Sequence, residues 1–121
     1  MSKTLNQIAE EVHTNAVAKG FYRPGETEDE FIERACNNLH DEVSELHEAW
    51  RNNRLHELCD KAQDMEAIGI PPLTCAEEEL ADVIIRAADN ARHLNIDVDY
   101  AVERKQLFNK SRPYKHGGKR S

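Results

Sequence analysis

Apolar residues recur at intervals of three and four over most of the chain, and glycine or proline bounds each run. The nine Gly and Pro residues fall in three clusters, Gly20 to Gly25, Gly69 to Pro72 and Pro113 to Gly118. The uninterrupted stretches between them favour helices, because no segment alternates apolar and polar as a half-buried strand would. A first helix is expected over about Thr4 to Lys19, with Leu5, Ile8, Ala9, Val12 and Ala16 on one face and Gly20 as its stop. Thr27 and Glu30 form a T-x-x-E capping box, opening a helix that carries Phe31, Ile32, Ala35, Leu39, Val43, Leu46 and Trp50. A weaker helical piece spans Leu55 to Ala67. A second capping box, Thr74 with Glu77, opens a helix to about Leu94. Asp97 or Asp99 caps a last helix to about Lys110, with Val98, Ala101, Val102 and Phe108 turned inward. The expectation is an all-α bundle of four to five helices.

Composition narrows the setting. A chain of 121 residues fits one domain, here residues 1–111, followed by a basic tail over 112–121. Hydrophobic residues make up 39% and charged ones 32%, so the core must be narrow and the surface strongly charged. No apolar run approaches the ~20 residues of a membrane span, and Met1 to Gln7 offers nothing resembling a signal peptide. Cys36, Cys59 and Cys75 form neither a disulfide framework nor a C-x-x-C zinc site, and are expected as small buried residues of a cytoplasmic protein. The net charge of −7 hides an asymmetry: the tail holds four Lys/Arg and no acid, leaving residues 1–111 at 12 − 23 = −11. Neither a nucleic acid nor a membrane is an expected partner of so acidic a body. A cation-dependent site for a small phosphorylated ligand suits it, and so does a plain solvated acidic surface.

Two acidic pairs at i, i+3 stand out. Glu42-x-x-Glu45 lies in the second helix and Glu79-x-x-Asp82 in the fourth. Glu42 projects inside the apolar arc of Phe31, Leu39 and Leu46, with Glu45 at its edge, and a carboxylate there is costly unless something pairs with it. Glu79 and Asp82 share the polar side of their helix with Arg86 and Asp89, where a surface position is the default. If both pairs face one cleft, each like-charge pair at ~4 Å costs about 4 kcal/mol at an effective dielectric of 20. Oxygen-only ligands at that density suit Mg²⁺ or Mn²⁺. Zinc prefers His and Cys, which do not cluster, and a di-iron bundle wants two Glu-x-x-His motifs where only Glu10-x-x-His13 is present. The plainer alternative pairs Glu42 with an arginine and leaves the other acids in water.

Leu39-His40-Asp41-Glu42-Val43-Ser44-Glu45-Leu46 followed by Glu78-Glu79-Leu80-Ala81-Asp82-Val83-Ile84-Ile85 resembles the E-x-x-E … E-x-x-D signature of the all-α, MazG-like nucleoside triphosphate pyrophosphohydrolases. The stretches His13 to Tyr22 and Asn109 to Lys119 are similar to the ends of short phage and bacterial members. Only residues 51–74 fall outside the likeness. Two departures bear on the pocket: residues 46–78 separate the two motifs by more than the usual linker, and Asp41 stands where many members have Glu.

The resemblance implies hydrolysis of a nucleoside triphosphate between the α and β phosphates, giving the monophosphate and pyrophosphate. It carries Mg²⁺ ligation onto Glu42, Glu45, Glu79 and Asp82, and leaves Glu45 or Asp41 to take the attacking water's proton. Lys105, Asn109 and Arg112, along one side of the last helix, would meet β and γ phosphates, or else form a solvated helix end whose cations suit the dipole. Lys115, His116 and Lys119 would close over phosphate or remain a basic tail. His13 and Trp50 are candidates to meet the base, against core packing in both cases, and Arg86 either touches phosphate or neutralises Asp82 and Asp89. The fourth helix is apolar over half its circumference or more, which predicts a second contact surface and hence a homodimer or dimer of dimers. The competing reading is a non-catalytic helical dimer that binds metal or nucleotide as a regulator or interaction module.

Overall fold

A computed structural model of the chain describes residues 2–114. Five helices follow in order: α1 Leu5–Ala18, α2 Glu28–Arg51, α3 Ala62–Ala67, α4 Cys75–His93 and α5 Val98–Ser111. The helix starts obey the capping logic of the sequence. Thr27 with Glu30 and Thr74 with Glu77 both form reciprocal boxes, and Thr4 with Gln7 forms a third. Helix ends use left-handed residues: Gly20 follows α1, while Asn53 and Asn95 take φ of 58° just after α2 and α4.

α4 is the hub, packing α1 and α2 along its length, while α5 touches α1 and α4. α2 and α4 run antiparallel in a fixed register. Phe31 meets His93, with rings 4.2 Å apart, at one end, and Ala49 packs on the Cys59, Ala62 and Cys75 cluster at the other. Around these contacts the buried apolar residues are mostly small: Ala9, Ala16, Ala35, Cys59, Ala62, Cys75 and Ala88, with Phe31 the one large side chain fully enclosed among the described residues. Small side chains bring helix backbones close, so polar groups set between two such contacts are pressed together too.

An aromatic cluster locks the Phe31 end. Tyr22 stacks on His93 at 4.4 Å, and His13 Nε2 lies 3.1 Å from His93 Nδ1. The Tyr22 hydroxyl donates to buried Asp89 at 2.8 Å, and Arg34 grips Glu26 through two bonds of 2.9 and 2.8 Å while lying over the Tyr22 ring.

Three sequence expectations change. The helix expected over Leu55 to Ala67 shrinks to α3. Before it, Leu55, Glu57 and Cys59 pair by backbone with Ala76, Cys75 and Leu73, and Leu58 bridges Thr74. That pairing satisfies the backbone groups a helix would have used. α5 buries nothing: Ala101, Val102 and Phe108 are exposed, and only Val98 is half-buried. Cys36 is exposed, whereas Cys59 and Cys75 are buried, and all three are free thiols. No helix of the described residues is long and apolar enough to cross a membrane.

The helix-start ambiguity between Asp97 and Asp99 resolves into a two-way tie. Asp97 caps α5 by accepting from the Tyr100 amide, while Asp99 caps α1 by accepting from Leu5 and Asn6 amides at 3.0 and 3.2 Å. Asn6 completes the tie, donating to Asp97 at 2.8 Å and accepting from the Val98 amide at 2.8 Å. Asp99→Ala orphans two helix-start amides, so it is expected to lower stability by about 1–2 kcal/mol. Urea unfolding measures this, and an unchanged midpoint would show the tie to be idle.

Candidate metal centre

Midway between the two apolar contacts of α2 and α4, the facing residues are acids. Glu45 lies against Glu79 and Glu42 against Asp82, between Phe31 with His93 at one end and Ala49 on the Cys59, Ala62 and Cys75 cluster at the other. One carboxylate oxygen from each of the four lies within 4.8 Å of the others. The i, i+3 spacing puts each pair on one helix face, and the short α2–α4 separation makes the faces meet. Glu42, Glu79 and Asp82 are half-buried and Glu45 is at the exposed mouth. The default surface placement of Glu79 and Asp82 is therefore corrected: the register turns them into the helix seam.

The crowding shows in their titration. Burial, then the Glu45 carboxylate against it, pushes Glu79 up to about 7. Burial also raises Glu42, helped by the charges of Glu45 and Asp82, and Asp82 rises through burial and then the charge of Glu78. Oε2 of Glu42 and of Glu79, and outside the set Oε2 of Glu78, are buried without a hydrogen-bond partner among the described residues. Orphaned carboxylate oxygens in a seam are costly, and a hard divalent cation satisfies such a set.

Two cations flank the cluster without entering it. Arg86, one turn beyond Asp82, lies 3.5 Å from Asp89 and favours the ionised forms of Glu42 and Asp82. Lys61 reaches in from the α2–α4 connection and bonds Glu78 Oε1 at 2.6 Å. Glu78 is only 7% exposed. Burial pushes its carboxyl up, but the Lys61 ammonium and the Cys59 thiol outweigh this and hold it below the usual range. The sequence reading missed this pair. Glu78 had a signal in its place beside Glu79, whereas nothing in the local pattern marks Lys61.

A cavity of about 250 Å³ opens on the cluster, walled by Glu45 and Glu79 and by Glu48, Asn52, Arg54 and Lys61. A second, of about 240 Å³, lies between Val12, Ala16, Phe21, Ile85, Arg86 and Asp89.

The remaining candidates are scattered. Asp41 is exposed on α2 and stands outside the acidic set. His13 is half-buried and bonded to His93. Trp50 is 60% exposed, stacked on His47 at 5.5 Å, so the core position its apolar arc suggested is not taken. Lys105 and Arg112 lie over the Phe108 ring at 5.1 and 5.6 Å and Asn109 is exposed; none of the three lines either cavity, and α5 packs on α1 and α4 but not on α2. Lys115, with His116 and Lys119, lies outside the described residues.

Compared with models of known protein families, with curated proteins and with solved structures, the chain matches none of them.

A raised carboxyl favours the proton-bound folded state. The metal-free protein is therefore expected to lose stability as pH rises from the unfolded carboxyl value of about 4.3 through about 7. Thermal melts in chelator should show Glu79→Gln stabilising the fold at pH 8 and less so at pH 5. Added Mg²⁺ should raise the melting temperature of the native chain at pH 8 and raise that of Glu79→Gln less. Equal melting of the two proteins at both pH values would refute the crowding.

Proposed function

We propose that the chain is a Mg²⁺-dependent, MazG-like nucleoside triphosphate pyrophosphohydrolase, cleaving a (d)NTP between the α and β phosphates and serving nucleotide-pool housekeeping. The observation that supports this reading is the meeting of two E-x-x-E/D pairs in one seam, with two buried oxygens left unpartnered. Glu42, Glu45, Glu79 and Asp82 would hold the metal. When bound, Mg²⁺ (or Mn²⁺) supplies neutralisation of phosphate oxygens and orientation of a water. Glu45, at the mouth of the cluster, is the carboxylate placed to take that water's proton, whereas Asp41 faces solvent. The water's oxygen ends on one phosphorus of the α–β bridge and the bridging oxygen stays on the other, giving the monophosphate and pyrophosphate.

Incubation with a panel of NTPs and dNTPs plus Mg²⁺, assayed separately for pyrophosphate and orthophosphate, tests the activity. Pyrophosphate is expected, and Glu42→Gln should reduce its release at least about a hundredfold, as loss of a charge-stabilising group does. Release of orthophosphate alone, or full activity in Glu42→Gln, would reject the reading. Binding without turnover would favour the regulator.

The same reading takes the protein as a homodimer or dimer of dimers. Large apolar residues stay open on α2 (Val43, Trp50), on α4 (Leu80, Ile84) and on α5 (Leu107, Phe108), each at least half exposed. Since α5 does not reach the cluster of its own chain, Lys105 and Arg112 would meet a substrate only across a subunit boundary. Sedimentation at micromolar concentration should give a dimer or larger. Mixing inactive Glu42→Gln with inactive Lys105→Ala/Arg112→Ala should then restore part of the activity. A monomer, or no restoration, would remove this arrangement.

A further inference from the structure

The cavity beside Glu45 and Glu79 has a lining unlike that of the second one. In the second, Asp89 accepts from Tyr22 at 2.8 Å and lies 3.5 Å from Arg86, so its charges already answer one another. In the first, the side chains of Glu48 and Asn52 make no hydrogen bond or ion pair among the described residues, and Arg54 has only an exposed contact with Glu57 at 3.5 Å. Glu45 and Glu48 follow one another along one face of α2, and Asn52 is the cap residue at its end. From Glu45 to Asn52 the helix advances roughly 10 Å, at about 1.5 Å per residue. That is the scale separating a 5′-phosphate from its base.

Charge decides what the far end takes. Glu48 and Asp60 both line the cavity, and Lys61 is held by Glu78 at 2.6 Å, so a pyrophosphate group would meet more repulsion than welcome there. A neutral ring with donors on one edge and acceptors on another meets neither problem. Glu48 only accepts, Arg54 only donates, and Asn52 does both. Guanine presents N1–H and its 2-amino group side by side, with O6 next to them. A thymine or uracil offers one N–H between two carbonyls, which would be set against the carboxylate.

We propose that this cavity receives the substrate's base and selects guanine, Glu48 accepting from N1–H and the 2-amino group while Asn52 and Arg54 donate to O6. The proposal rests on reading the acidic cluster as the site of nucleotide hydrolysis. Of the three selecting residues, Asn52 and Arg54 belong to the part of the chain that falls outside the family likeness, and Glu48 lies just before it.

The test uses the full chain in Mg²⁺, with kcat/KM for dGTP, dITP and dTTP and calorimetric binding of the α,β-imido analogues of dGTP and dTTP. Glu48→Ala is the variant, since Glu48 is exposed and substitutions at exposed positions usually change stability little. The expectation is a dGTP preference over dTTP of at least about tenfold in both readouts, with dITP, lacking the 2-amino group, between them. Glu48→Ala should bring the dGTP-to-dTTP ratio close to one. Equal use of dGTP and dTTP, or a guanine preference that survives in Glu48→Ala, overturns the proposal while leaving the hydrolase reading standing. If no nucleotide is hydrolysed, the hydrolase reading fails and binding decides the pocket. A guanine preference of the analogues lost in Glu48→Ala supports it, and no preference or no binding overturns it.

Discussion

The antiparallel register of α2 against α4 is the constraint on which the rest depends. Contact at each end of the pair, Phe31 against His93 and Ala49 against the Cys59, Ala62 and Cys75 cluster, fixes how far one helix is slid along the other. The residues between have no freedom to avoid one another: Glu42, Glu45, Glu79 and Asp82 converge because the ends are packed. A slip of one residue would rotate each acid by about 100° and scatter the set. The fold thus spends hydrophobic contact at two places to hold a repulsive one in the middle.

Repulsion on that scale has to be offset. Pairs of carboxylates at these distances cost several kcal/mol each at a protein-like dielectric, about 4 kcal/mol at ~4 Å. The chain's own answer is partial. Lys61 neutralises Glu78, behind the cluster, and Arg86 shares its charge with Asp89, so neither cation lies inside the set. Raised carboxyl titration is what remains of the imbalance. The four acids are thus a set that could hold a cation, left, among the described residues, without a cation of the chain's own.

Much of this was legible in the chain. The Thr27–Glu30 and Thr74–Glu77 boxes are local chemistry, and both helices start where they say. The i, i+3 acids were legible as two faces, and Glu42 as an intruder in an apolar arc. That the faces meet was not legible from residues alone, because register is a property of two helices together. Nor was the backbone pairing of Leu55–Cys59 with Leu73–Ala76, since a run with Leu, Cys, Ala and Met at helical spacing reads as helix until a distant partner claims its amides. Lys61 escaped for the same reason. Its importance comes from where the connection carries it, and no neighbour in sequence announces that. The inward face expected of α5 failed differently: Val102 and Phe108 do have helical spacing, yet a single chain offers them no surface to cover.

That failure and the connection point to one economy of design. With a core made mostly of alanine and cysteine side chains, each helix pair gains little per contact, since the benefit scales with the apolar area removed from water. On α2 and α4 the enclosed apolar residues are Phe31 and the small Ala35, Cys75 and Ala88, while the larger Val43, Trp50, Leu80 and Ile84 stay on the outside. Burying them needs another surface, and enlarging the core instead would push the helices apart and open the acidic set. The 52–74 connection works within the same limit. It adds Cys59 and Ala62 to the small-residue core, pairs its backbone with the start of α4, and thereby steadies the end of the seam nearest Glu79. A small-residue core, crowded acids and exposed apolar helix faces thus occur together on one helix pair.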